Sequence, residues 1–304
     1  MSTRRIPPLV GLLAIVLAAC SSGTAPSSSD RPGGSGEPVG SPSASGDPGL
    51  PSPGASIDHP PGSTDVVLRF EEGGGFVPMG FLVTQAPAFT LYGDGTVVYR
   101  NQFAEPIPPD PVIHDVPFRT AILAADEVQA LLAFAINDGG LGIARESYDN
   151  GMIADAPTSI FTLNAGGLSK TVSVYALGLE DPNQPDAAAR TAFARLAERL
   201  RDFDAGDDAT VYEPDRFRGV LYDAFGDGVA QAWPWADIAP ADFVARNDPD
   251  LPASGFPSRV MTRDEVVALG LDDFEGGLQG VILEDPDGAT HSFGLRPLLP
   301  DEEA

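Results

Sequence analysis

The sequence predicts an α+β fold, mainly antiparallel sheet hairpins with two or three packed helices. Three observations lead there. Apolar runs of strand length are joined by short Gly-rich links at 88–100, 156–177 and 280–295. Two segments, 126–137 and 185–202, repeat apolar residues at helical spacing instead. Strands and helices also come in mixed order, without the regular βα alternation of a parallel sheet.

Residues 1–20 read MSTRRIPPLVGLLAIVLAAC, with Arg4 and Arg5 ahead of an apolar stretch at 9–19. Eleven such residues are too few to span a hydrocarbon core of about 30 Å, so the segment reads as a targeting signal. Leu17, Ala18, Ala19 and Cys20 resemble the bacterial lipobox. The resemblance implies cleavage between Ala19 and Cys20, leaving 1–19 as a lipoprotein signal peptide. It also implies diacylglyceryl on the Cys20 sulfur and a palmitate-bearing protein held to the extracytoplasmic face of the cell membrane. The chain's one cysteine sits where that chemistry needs it, and no disulfide framework can form within the chain. An ordinary secretory peptide is the competing reading. Residues 20–63 hold 12 Ser, 9 Gly and 9 Pro, too little apolar surface to offset the entropy of ordering the backbone. They form a lipidated, disordered tether with a coil reach of about 33 to 40 Å. His59 lies in it without a role.

The folded region is expected at 64–304, with room for a subdivision near 205–215. A strand at 65–70 (DVVLRF) ends in the glycine run 71–75. The clearest hairpin is 88–100 (AFTLYGDGTVVYR), turning at Gly93, Asp94 and Gly95. In 126–137, Val128, Leu131, Leu132 and Ala135 form a helical stripe that Gly139 stops. Strands at 156–164 and 169–177 flank Ala165, Gly166 and Gly167. The strongest helix is 185–202, whose stripe is Phe193, Leu196, Ala197, Leu200 and Phe203. Further strands are expected at 210–212 and 219–224. Thr262 and Glu265 have capping-box spacing, with Met261 and Val266 as the accompanying staple, so a short helix starts there and Gly270 ends it. A final hairpin, 280–284 and 290–295, turns through 285–288. DEVQAL at 126–131 and DEVVAL at 264–269 each precede a two-stranded unit, which allows two similar halves, with chance recurrence the stronger explanation.

The charge balance narrows function. The region 64–304 carries 40 of the 44 acidic and 15 of the 18 basic residues, so it has no basic face for nucleic acid. It would also be repelled by anionic lipid headgroups. GxSxG, HExxH and SxxK are absent, and Lys170 is the only lysine, in a strand. His114 and His291 are the only imidazole bases for a dispersed hydrolase site, with His291 the better placed near acidic turns. At 202–213 (DFDAGDDATVYE), Asp202, Asp204, Asp208 and Glu213 occupy positions one, three, seven and twelve of a loop that resembles an EF-hand Ca²⁺ loop. It departs at Gly206 and Asp207, where a ligand and the turn glycine belong. No cofactor is otherwise expected, and no metal ligands are assigned beyond that weak Ca²⁺ candidate. Trp233 and Trp235 flank a proline and, if extended, would present both rings on one face for stacking on a sugar or a partner peptide; core packing is the commoner use. Glycines 73–75 lack the GK[ST] of a phosphate loop.

With these residues in view, GGGFVP at 73–78, LYGDGTVVY at 91–99 and RPLLP at 296–300 resemble uncharacterised secreted lipoproteins of high-GC bacteria. The likeness implies an extracytoplasmic lipid-anchored module and carries over no catalytic residue. The expected function is a non-enzymatic binding or envelope-interaction module, its partner an envelope protein, a glycan or a small ligand. A secreted hydrolase and a calcium-stabilised structural domain are the alternatives.

Overall fold

The computed structural model describes residues 56–100, 112–150, 152–179, 183–223, 228–245 and 255–302. Ala19, Cys20 and most of the tether lie outside these residues. From Ser56 onward the described chain belongs to one compact unit. The fold is α+β and mostly antiparallel sheet.

In chain order come β1 (Val66–Gly74), the short helix α1 (Met79–Thr84), β2 (Phe89–Tyr92), β3 (Thr96–Tyr99), β4 (Ile113–His114) and β5 (Arg119–Ile122). Helix α2 (Ala125–Ile136), β6 (Ser147–Tyr148), β7 (Pro157–Ala165), β8 (Leu168–Tyr175), α3 (Ala187–Arg201) and β9 (Thr210–Val211) follow. The chain then runs through β10 (Arg216–Asp223), β11 (Gln231–Ala232), β12 (Val244–Ala245), β13 (Pro257–Thr262), α4 (Arg263–Val267), β14 (Leu278–Glu284) and β15 (Thr290–Pro297). One sheet has the order β6-β8-β7-β1-β2-β3-β5-β9; the other is β11-β14-β15-β10-β13-β12, with β4 added beside β14. Apart from β4, the strands of the first sheet end at Val211 and those of the second begin at Arg216.

The first sheet is covered by the two long helices. Phe193, Leu196, Ala197 and Leu200 of α3, with Val128, Leu131, Leu132 and Ala135 of α2, meet Leu68, Phe70, Leu91 and Phe161 from the strands. The β7–β8 hairpin closes through Gly166 and Gly167, both at positive φ (62° and 76°), a turn that matches the twist of its strands. Arg190 lies on the buried face of α3 with no exposed surface. Its guanidinium donates to the carbonyls of Tyr148, Asp149 and Tyr175 and pairs with Asp186, so the charge is fully engaged.

The folded body begins earlier than 64. Ile57 is buried in the first core, its backbone N–H donates to Gln129 Oε1 at 2.6 Å, and Gln129 Nε2 donates back to its carbonyl. A single large aliphatic in a Ser/Gly/Pro stretch suffices when a preformed core has space for it. Strand β1 also runs further than expected: Gly73 and Gly74 pair with Thr158 and Pro157 instead of closing the strand.

Helix α1 lies against β14 and β15 of the second sheet, whose aromatic core has only α4 as helical cover, capped as its spacing predicts: Thr262 Oγ1 accepts from Glu265 N–H, and Glu265 accepts from Thr262 N–H at 2.7 Å. Met261 and Val266 are both fully buried. Helix α2 uses half of the same code, Glu127 accepting from Ala124 N–H at 2.8 Å. Each helix precedes a hairpin, but the connections differ. Strand β1 pairs with β7, the first strand of its hairpin, whereas β10 pairs with β15, the second. The DEVxAL likeness is therefore shared capping chemistry in two differently wired sheets.

Candidate functional site

Strand alternation sends one set of side chains of the first sheet away from its helices. Arg69, Tyr92, Val98 and Arg100 point into the seam where the sheet meets the second sheet and the C-terminal segment. Asp301 Oδ1 accepts from both Arg69 Nη2 and Tyr92 Oη at 2.6 Å. Burial lowers the Arg69 pKa, but Asp301 outweighs it and the net direction is up. Tyr92 is pushed up by burial and by the same carboxylate. Arg296 forms a two-pronged pair with Glu302, which also accepts from Leu299 N–H. Burial works against the Glu302 carboxylate, yet Arg296 and the Leu299 amide hold it below the ordinary glutamate value.

Two cavities open beside this seam, on either side of α1, and Phe81 and Gln279 line both. The first, about 210 Å³, is bounded by Gly73, Val77, Thr84, Gln85, Arg100, Asp115 and Pro157 among others. Thr84, Arg100 and Gln279 are each at most 4% exposed. Arg100 Nη1 donates to the Gly276 carbonyl at 3.2 Å and lies 3.8 Å from Asp115 Oδ2, while its Nε has no hydrogen-bond partner. The guanidinium also lies 4.4 Å over the Phe118 ring. Burial lowers the Arg100 pKa despite Asp115, and the Arg296 charge adds to that lowering. Asp115 Oδ2 accepts from Gln279 Nε2 at 3.3 Å, and Asp115 N–H donates to Gly277 at 3.1 Å. Gly276 has to be glycine here, because a Cβ would run into the Asp115 carbonyl.

The second cavity, about 430 Å³, is walled by Pro78, Met79, Phe81 and Ile113, with Tyr222, Gln279 and Ser292 as polar points. Burial raises the Tyr222 pKa. Gly80 lets α1 approach closely: a Cβ there would stand 3.1 Å from Gln279 Oε1 and 3.2 Å from Tyr222 Oη. Phe76 is 91% exposed at the rim, and Val77, Met79 and Phe81 are each more than 40% exposed. The combined site offers a guanidinium donor, a carboxylate acceptor, an amide and a hydroxyl between apolar walls, which suits binding by orientation.

The residues singled out from sequence lie elsewhere. His114 pairs with Leu278 and His291 with Leu283 from opposite flanks of β14, so the two histidines sit at opposite ends of that strand. Neither lines the two cavities. His114 Nδ1 is 3.1 Å from the Asp273 carbonyl. His291 Nε2 is 3.1 Å from Asp285 Oδ2, and the other oxygen of that carboxylate accepts from Asp287 and Ala289 N–H in the β14–β15 turn. The His291 contact, chiefly, lowers the Asp285 pKa.

Trp233 and Trp235 do not make a shared platform. Their rings meet at 81°, Trp235 is buried and Trp233 half-buried. Their indole N–H groups donate to Ile238 and Glu265 carbonyls at 2.6 and 2.7 Å. The physical reason is the sparse helical cover of the aromatic core, where Trp235 and Phe243 pack on Phe293 of β15. In the 202–213 loop, Asp204 Oδ1 accepts from Gly206 N–H at 2.8 Å and β9 follows where an EF-hand has a helix. Among the described residues no group of three or more His, Cys, Asp or Glu gathers as metal ligands would. Lys170 donates to the Leu141 and Ala144 carbonyls.

Sequence reasoning passed over Arg100, Asp115, Thr84 and Gln279, which read as ordinary strand ends and loop residues. The signal within reach was FVPMGF at 76–81, five large or rigid apolar residues in what read as a loop. No family model, curated protein or solved structure matches the chain.

Proposed function

We propose that the chain is a membrane-anchored extracytoplasmic lipoprotein that works as a non-enzymatic binding module. Diacylglyceryl at Cys20 holds it to the bilayer, the tether gives it reach, and a small ligand seats at the seam between the sheets. The observation that carries the binding reading is the pairing of a cavity walled by buried Thr84, Arg100 and Gln279 with an apolar one across α1. Thr84 Oγ1 donates to the Gly80 carbonyl and Gln279 Nε2 to Asp115, which leaves Arg100 Nε as the buried polar atom without a partner, a costly arrangement unless something completes it. The anchor rests on LAAC at 17–20 and on the tether composition.

Two measurements test it. A Cys20→Ser variant, expressed in a bacterium with labelled palmitate, is expected to accumulate as uncleaved, unlabelled precursor; normal processing of that variant removes the anchor. Phe81→Asp is expected to leave folding intact by circular dichroism and to abolish ligand-induced thermal shifts. Ligands that stabilise wild type and variant equally would place binding away from the seam.

A further inference from the structure

Resting on that binding reading, we infer that the cavity beside Arg100 takes the head of a free α-amino acid, its carboxylate on Arg100 and its ammonium on Asp115. Arg100 is a cation withdrawn from water, 4% exposed, with an unpartnered Nε and one neutral carbonyl on Nη1. Its partner carboxylate, Asp115, is 3.8 Å away, beyond direct hydrogen-bond range. A buried guanidinium in that condition is under-compensated, and charge-assisted bonds to an incoming carboxylate repair it.

A simple anion would not suit the site, because Asp115 faces the same cavity with one oxygen on Gln279 Nε2 and would repel it. Opposite charges side by side match a ligand whose own opposite charges are one carbon apart. Such a zwitterion adds no net charge to an acidic protein, and each pole meets a pole. The size agrees as well: about 210 Å³ is below the usual range of about 300 to 1,000 Å³ for drug-sized ligands. Val77, Phe81 and Pro157 provide the apolar wall for a side chain.

The test uses the full-length protein in detergent micelles, with isothermal titration and thermal shift. Glycine, leucine, phenylalanine and glutamate are the zwitterionic probes; leucinamide lacks the carboxylate and 4-methylpentanoate lacks the ammonium. Binding of at least one zwitterion is expected. For leucine, both truncated analogues are expected to bind at least tenfold more weakly. Asp115→Asn should weaken leucine at least tenfold while narrowing its advantage over 4-methylpentanoate. Arg100→Lys should weaken leucine and narrow its advantage over leucinamide. If Arg100→Lys fails to fold by circular dichroism, the Asp115→Asn comparison decides. The inference is overturned if no zwitterion binds, or if leucine and leucinamide bind alike. Binding of 4-methylpentanoate alone, abolished by Phe81→Asp, overturns the amino-acid assignment and leaves the seam as a binding site.

Discussion

The two sheets solve the same burial problem by different means. The first is roofed by α2 and α3, and its core is a mixture of aliphatic residues with Phe70, Phe89, Phe161 and Phe193. Over its aromatic core the second has only the five-residue α4, so irregular chain carries the roof: Trp235, Ile238, Phe243 and Phe274 close over Phe217, Phe293, Leu283 and Leu295. Large flat rings cover more sheet per residue than aliphatics and lose less side-chain freedom than longer chains would. The stack is edge-on throughout much of its length, Trp233 to Trp235 at 81° and Phe243 to Phe293 at 87°. A core with little helical cover thus draws the chain's only tryptophans into its packing.

The largest test of this contrast removes the key polar group of the helical half. Arg190→Ala leaves three carbonyls and Asp186 without their donor, and is expected to destabilise by about 4 kcal/mol in urea unfolding. A loss below about 1 kcal/mol would mean that water replaces the guanidinium and that the α3 packing does not depend on it. In the aromatic half, Trp235→Ala is expected to cost about 3 kcal/mol and to remove most of the near-ultraviolet circular dichroism. Both variants should shift one common unfolding transition. Two separate transitions, each moved by one variant, would show halves that fold independently.

The seam between them responds to acid. Glu302 has its folded pKa depressed, so its contribution is fully present above the ordinary value of 4.5 and is lost as pH falls through the folded value. Glu71 runs the other way, since burial raises its pKa and protonation relieves it. Glu302→Gln is therefore expected to cost about 2 kcal/mol at pH 7, with the difference from wild type shrinking below pH 4.5. A difference independent of pH would assign the effect to lost packing instead of charge. The smallest effect belongs to the rim: Phe76→Ser, at 91% exposure, should change stability by less than about 0.5 kcal/mol. A larger loss would show that the rim is covered in solution.

Much of the first half could be read in advance because its information is local. Gly166 and Gly167 mark a two-residue turn, Asp94 Oδ1 accepts from Thr96 N–H beside Gly95, and α3 shows its stripe at helical spacing. In the second half the β14–β15 turn and the Thr262 cap were equally legible. The two-residue strands β4, β11 and β12 were not, since each exists only through a partner distant in sequence. Helix α1 was hidden by its length and by Gly80. The site was illegible for the same reason as the short strands. Arg100, Asp115 and Gln279 belong to separate elements, and only sheet pairing brings them around one cavity.

The clasp at Ile57 decides where a pull from the N-terminal side of the chain would land. Gln129 grips both sides of that residue's backbone, Gly166 N–H holds the Asp58 carbonyl and Gly93 N–H holds Gly62. Under the anchoring proposed at Cys20, tension from the membrane side would be spread over these bonds and a seated side chain, all on the helix-roofed sheet. The aromatic sheet, more than 200 residues along the chain in its final hairpin, would carry no load.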